Sequence, residues 1–244
     1  MLGLPDGITA CLFDMDGVIT QTAKVHDAAW KEMFDEFLKN WSAAHNQKFT
    51  PFDSGHDYSE YVDGKPRTEG ITSFLDSRGI KLPEGQESDK PGADTVYGLG
   101  NRKNELFLQV LKRDGVQAYD GSVRYVKAVR EAGLRTAIVS SSANTAAVLE
   151  SAGVAGLFEV RVDHQAAEEH QLQGKPAPDT FLEAAKELGV PAAHAVVYED
   201  ALAGVAAGRA GHFGFVVGVD RTGQASQLHE HGADVVVKDL AELL

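Results

Sequence analysis

Four short segments carry side chains that could act together: Asp14-Met15-Asp16-Gly17, Ser140, Lys175 in Gly174-Lys175-Pro176-Ala177-Pro178-Asp179, and Glu199-Asp200. Residues two apart on an extended segment point the same way, so Asp14 and Asp16 can reach one pocket. An oxygen-only acidic cluster suits Mg²⁺, which takes oxygen ligands and keeps room for water and a phosphate oxygen. A lysine and a hydroxyl complete a clamp for the remaining phosphoryl oxygens. An aspartate beside the metal can attack phosphorus to give an aspartyl-phosphate. A second carboxylic acid can protonate the leaving oxygen and later take a proton from the acceptor. The parts add up to phosphoryl transfer.

Taken singly, each has a plainer reading. Asp before Gly is ordinary turn chemistry. Ser140 to Ser142 and Asn144 could cap the helix that follows. Lys175 could be a solvated charge, and Glu199-Asp200 could complement a helix dipole. Their joint order at successive strand ends carries the functional reading.

The elements that must position them alternate. Continuous apolar runs at 8–13, 134–139, 195–198, 213–219 and 235–237 read as strands, and 123–132, 145–152, 178–188 and 202–210 read as helices. Apolar strands separated by helices predict an α/β fold with a doubly wound parallel sheet, a Rossmann-like core covered on both faces. In such sheets ligands bind outside the carboxyl ends of the strands, which is where the polar residues gather. Between the first strand and about residue 105 the pattern is helical instead. Val25, Ala29, Met33 and Phe37 share one face, flanked by Trp30, Phe34 and Leu38, and further helices are expected over 68–78 and 101–112. An insertion of roughly 80 residues is large enough to be a domain. The expected division is a core of residues 1–20 and 106–244 with a helical cap of 21–105.

Composition bounds the rest. The 244 residues are 43% apolar, with 23 basic and 36 acidic side chains and a formal net charge of −13. Such a chain buries a sizeable core, and its acidic balance argues against nucleic-acid or anionic-membrane surfaces. Cys11 is the single cysteine, so no intrachain disulfide or cysteine-rich zinc site forms. No apolar run approaches a bilayer span, and residues 1–7 lack the pattern of a signal peptide, so the expectation is a cytoplasmic protein, by default a monomer. The histidines show no HExxH spacing, and neither GxxxxGK[ST] nor GxGxxG occurs.

In order, Asp14-x-Asp16-Gly17-Val18, Ser140, Lys175 and Glu199-Asp200 resemble the four motifs of the haloacid dehalogenase superfamily, over essentially the whole chain. The resemblance implies Asp14 as nucleophile, Asp16 as general acid/base, and Ser140 and Lys175 as holders of the transferring phosphoryl group. It implies Mg²⁺ bound by Asp14, the Asp16 backbone carbonyl and Asp200, with Glu199 contributing directly or through water. Within the superfamily, Asp14 to Thr20 followed by His26 and Trp30 is similar to the opening of the β-phosphoglucomutase branch. Gly64-Lys65-Pro66-Arg67 resembles its substrate-phosphate loop, which puts Arg67 on the distal phosphate. Arg102-Lys103-Asn104 resembles the cap segment whose lysine pairs with the histidine matching His26. Ser141, Ser142 and Asn144 match its substrate-binding loop.

This likeness implies a sugar-phosphate substrate and conversion of β-glucose 1-phosphate to the 6-phosphate. The alternative is a phosphatase of the same fold, with water as acceptor. Two positions depart from the branch: Gln21 replaces an acidic residue, and Ala143 replaces a lysine near the distal phosphate. Loss of one buried charge-assisted contact is worth about 1.5–3 kcal/mol, and Lys65 and Arg102 are the candidates to compensate.

Overall fold

The computed structural model describes residues 2–244, which divide into two compact units, one of residues 2–22 and 116–244 and the other Ala23–Gly115. The second boundary falls later than expected from the sequence. A helix that begins at Val96 runs unbroken to Asp114, stops at Gly115 with φ +69°, and carries Lys112 and Arg113 in its last turn. A boundary at 105 would cut it.

The larger unit is a six-stranded, wholly parallel sheet in the order β3-β2-β1-β4-β5-β6. Its strands are β1 (Ala10–Asp14), β2 (Arg135–Val139), β3 (Val160–Val162), β4 (Ala195–Glu199), β5 (Phe215–Val219) and β6 (Val235–Val237). β1 lies at the centre, and all five of its residues are buried, as expected for a strand covered on both faces. One face packs Leu12, Val139, Val162 and Val197 against Phe181, Ala184 and Ala207. On the other side Phe13 stacks on Tyr198 at 4.4 Å between ring centres and meets Tyr125 edge-on. Cys11 is buried, with Sγ 3.5 Å from the Tyr198 hydroxyl, which lies 2.8 Å from that of Tyr125. The strand β3 was not expected from the sequence. It is three residues long with an exposed middle position, so it carries almost no apolar signal.

The smaller unit is helical: α1 (Ala23–Ala44), α2 (Arg67–Ser77) and α3 (Val96–Asp114). The buried face of α1 includes Trp30, Met33, Phe34 and Phe37. Phe34 is the centre of an aromatic cluster, with Trp30, Phe52 and Phe74 at 5.4, 5.1 and 4.3 Å. α3 is capped by Thr95, the residue before it, whose hydroxyl accepts from the Gly98 amide at 2.9 Å. The larger unit's remaining helices are α4 (Asp120–Glu131), α5 (Thr145–Ser151), α6 (His164–Glu169), α7 (Asp179–Glu187), α8 (Leu202–Ala210) and α9 (Ala225–Glu230). Among the described residues no helix is long and apolar enough to cross a membrane.

Candidate active site

In the sheet unit, parallel pairing aligns the carboxyl ends of the central strands. Asp14, the last residue of β1, pairs with Val139, so Ser140 follows one step beyond on β2. Phe13 pairs with Tyr198, which brings Glu199 and then Asp200 to the same edge from β4. Lys175 arrives from the loop before α7, a tight turn closed by Ala177 N–H on the Gly174 carbonyl and by Gln173 N–H on Asp179.

Lys175 is 1% exposed, and its ammonium donates to Asp14 Oδ1 and to Glu199 Oε1, each at 2.5 Å. Glu199 uses its other oxygen to accept from Ala201 N–H at 2.9 Å, so its carboxylate is fixed at both ends. It also lies flat on α8, where a Cβ at Gly204 would overlap it. Burial drives the Asp14 carboxyl well above the usual carboxylate range; Lys175 opposes the shift, while Glu199 and Asp16 add to it. For Lys175 burial alone would depress the ammonium, but Asp14 and Glu199 reverse this and hold it above its ordinary value.

Asp14, Glu199 and Asp200 each offer a carboxylate oxygen, and these atoms all lie within 4.8 Å of one another. With Asp16 nearby, one ammonium does not balance this concentration of negative charge. The donor set is all oxygen and fits a hard divalent cation. Asp16 is held by the Thr22 hydroxyl, and Thr22 bonds in turn to Thr20 at 3.1 Å, both threonines being fully buried. Gly17 follows with φ +80°, and a Cβ there would overlap the Asp200 carboxylate, so only glycine fits at this position.

Ser140 is anchored by its own N–H to Val162 of β3 at 3.0 Å, and its hydroxyl accepts from Ser142 N–H at 3.1 Å. Ser142 accepts from Asn144 N–H at 3.1 Å. Ser140, Ser141, Ser142 and Asn144 therefore form one tight turn at the end of β2. Gln21 donates to the Ala118 carbonyl at 3.3 Å, a contact that the acid expected there could not make.

In the helical unit, Lys103 donates to His26 Nδ1 at 2.6 Å, which leaves the ring proton on Nε2. Lys103 is 6% exposed and lies over the Trp30 and Phe107 rings at 4.8 and 5.3 Å, and His26 stacks on Phe107 at 4.3 Å. Arg67 opens α2, and its stem rests against Gly100 of α3, where a Cβ would come within 3.2 Å of Arg67 Nε. The two candidates to replace the missing lysine are engaged within their own unit. Lys65 bonds to Ser73 and the Glu60 carbonyl, and Arg102 pairs with Glu36 and Glu105.

Sequence reasoning passed over Thr22, Gly204 and β3. A hydroxyl six residues after Asp16 has no signature of its own, and Gly204 shows its purpose only when Glu199 is seen lying on it.

Comparison with known proteins agrees with this architecture. The family model for haloacid dehalogenase-like hydrolases matches residues 8–212. The chain is 56% identical over 247 residues to the β-phosphoglucomutase of Mycobacterium tuberculosis, covering 100% of this chain and 94% of that protein. It is 29% identical to the β-phosphoglucomutase of Bacillus subtilis, covering 96% and 91%. The crystal structure of β-phosphoglucomutase from Clostridium difficile superposes with a TM-score of 0.77 at 24% identity, covering 97% and 93%, which supports the fold. The chain thus belongs to the haloacid dehalogenase-like hydrolase family, as an enzyme homologous to the β-phosphoglucomutases.

Proposed function

We propose that the protein is a Mg²⁺-dependent β-phosphoglucomutase, converting β-glucose 1-phosphate to glucose 6-phosphate through an aspartyl-phosphate. The observation that carries the chemistry is Lys175 buried between Asp14 and Glu199 beside Asp200. The specific substrate is supported by the full-length likeness to a β-phosphoglucomutase.

In this reading an Asp14 oxygen bonds to phosphorus as the phosphoryl–oxygen bond to the sugar breaks. Asp16, held by Thr22, gives its proton to the departing oxygen and takes one from the hydroxyl that later accepts the phosphoryl group. Lys175 and Ser140 hold the transferring oxygens. Asp14, the Asp16 carbonyl, Glu199 and Asp200 are assigned to Mg²⁺, which when bound offsets the negative charge of carboxylates and phosphoryl group.

Arg67 is assigned to the phosphate that does not react. It sits in the first turn of an 11-residue helix, where unsatisfied N–H groups and the helix dipole also favour an anion. His26, Trp30 and Lys103 are assigned to substrate binding as one packed group, and Ser141, Ser142 and Asn144 to substrate oxygens.

The test is to incubate the protein with Mg²⁺, β-glucose 1-phosphate and a trace of glucose 1,6-bisphosphate, following glucose 6-phosphate and free phosphate together. Rapid 6-phosphate formation with phosphate near the blank is expected. Phosphate release without the 6-phosphate would replace the mutase reading with that of a phosphatase.

A further inference from the structure

The turn after β5, residues 220–224, grips the backbones of two acid-bearing loops. Arg221 donates from Nε to the Gly17 carbonyl at 2.7 Å and from Nη1 to the Lys238 carbonyl at 2.8 Å. Its guanidinium lies 3.6 Å from the centre of the Tyr119 ring, and its side chain is only 15% exposed. Gln224 donates from Nε2 to the Asp200 carbonyl at 3.0 Å. The turn is itself tied down, since Asp220 Oδ1 accepts from Gly223 N–H and Gln224 N–H at 2.7 and 2.8 Å.

The two loops gripped here are the ones that press on each other, with the Asp200 carboxylate filling the space that a side chain at Gly17 would need. A slip of either backbone therefore moves the other. Arg221 also buries Nη2 with no hydrogen-bond partner among the described residues. Arg221 Nη1 also lies 3.5 Å from Asp239 Oδ2, so one guanidinium joins the Gly17 loop to the segment after β6.

We propose that Arg221 and Gln224 are positioning residues for phosphoryl transfer. Arg221 fixes the Gly17 peptide and with it the turn carrying Asp16, and Gln224 fixes the backbone that presents Asp200 to the cation. The inference rests on the roles given to Asp16 and Asp200 in the proposed function. Neither residue touches the reacting atoms in this account; both act through main-chain carbonyls, as outer contacts that orient a metal site do.

The test compares wild type with Arg221→Met, Arg221→Lys and Gln224→Ala as full chains. It reads kcat and KM with β-glucose 1-phosphate, Mn²⁺ binding by electron paramagnetic resonance without substrate, and thermal unfolding. Outer contacts of this kind are worth about 10–100-fold, so Arg221→Met should lower kcat by about that factor with KM nearly unchanged. Gln224→Ala should weaken Mn²⁺ binding about tenfold, and Arg221→Lys, which keeps one donor for Gly17, should recover part of kcat. If Arg221→Met and Gln224→Ala keep wild-type kcat per folded molecule and wild-type Mn²⁺ binding, the proposal is overturned, whatever the melting temperature does. A wild-type protein that neither binds Mn²⁺ nor turns over β-glucose 1-phosphate overturns the underlying functional reading, and this inference with it.

Discussion

The chemistry of the proposed site turns on how each carboxylate is held. Asp14 and Glu199 share one buried ammonium, and the Thr22 hydroxyl donates to Asp16. The donated hydrogen bond fixes the direction in which the Asp16 carboxyl faces, which a group that passes a proton to a set position requires. Thr22→Val keeps the shape and removes the hydroxyl. It should lower kcat for β-glucose 1-phosphate about tenfold, a fraction of what general acid–base catalysis contributes, while the melting temperature moves little. A pH–rate profile and kcat both indistinguishable from wild type would show that Thr22 does not position Asp16. The carboxylates and Lys175 were legible in the sequence because each stands alone at the end of an apolar run or before a proline-started helix. Thr22, Arg221 and Gln224 were not, because they act on a neighbour's side chain or on main-chain carbonyls that no residue pattern encodes.

At the scale of elements, helix α8 packs onto a strand-end acid through a missing side chain. Propensity alone says that Gly204→Ala should stabilise α8 by up to about 1 kcal/mol. Because the new Cβ would overlap the Glu199 carboxylate, the opposite is expected: a lower melting temperature and loss of phosphoryl transfer as Lys175 loses a partner. A stabilised, fully active variant would refute this. A second expectation concerns β1, β4 and α4, which share the buried chain Cys11–Tyr198–Tyr125. Burial pushes the Cys11 thiol up to about 12 and holds both tyrosines above their ordinary range. The unfolded chain releases these protons from an ordinary value of 9.0 for the thiol and 10.0 for the phenols. Folded pKa values above unfolded ones mean that the stability they carry is full below pH 9.0 and is lost as pH rises toward about 12. Denaturant midpoints at rising alkaline pH should fall in wild type and fall less in Cys11→Ala. The central strands were readable because they are continuous apolar runs. The edge strand β3 and the six-residue helices α6 and α9 were not, since three or six residues offer too little periodicity to register.

At the scale of the whole molecule, a mutase differs from a phosphatase by using binding energy at a phosphate that does not react. Arg67→Ala should therefore slow isomerisation of β-glucose 1-phosphate by about 100-fold, because remote binding energy is spent on the transition state. Hydrolysis of p-nitrophenyl phosphate, which has no second phosphate, should stay near wild type. Equal losses on both substrates would remove Arg67 from the second-phosphate role. The chain's division into units has a consequence of another kind. The helical unit leaves and re-enters the sheet unit through backbones zipped together, Gln21 N–H on the Gln117 carbonyl at 2.8 Å and Tyr119 N–H on the Ile19 carbonyl at 2.9 Å. β1, the centre of the sheet, is synthesised first but can pair with nothing until β2 and β4 emerge far along the chain. A floppy segment of that length makes ring closure entropically costly. Helices α1 to α3 draw on contacts within residues 23–115 and can fold while the ribosome is still making the rest. Once folded, they replace a long loose loop by a rigid body, and the order of synthesis then works for the central strand.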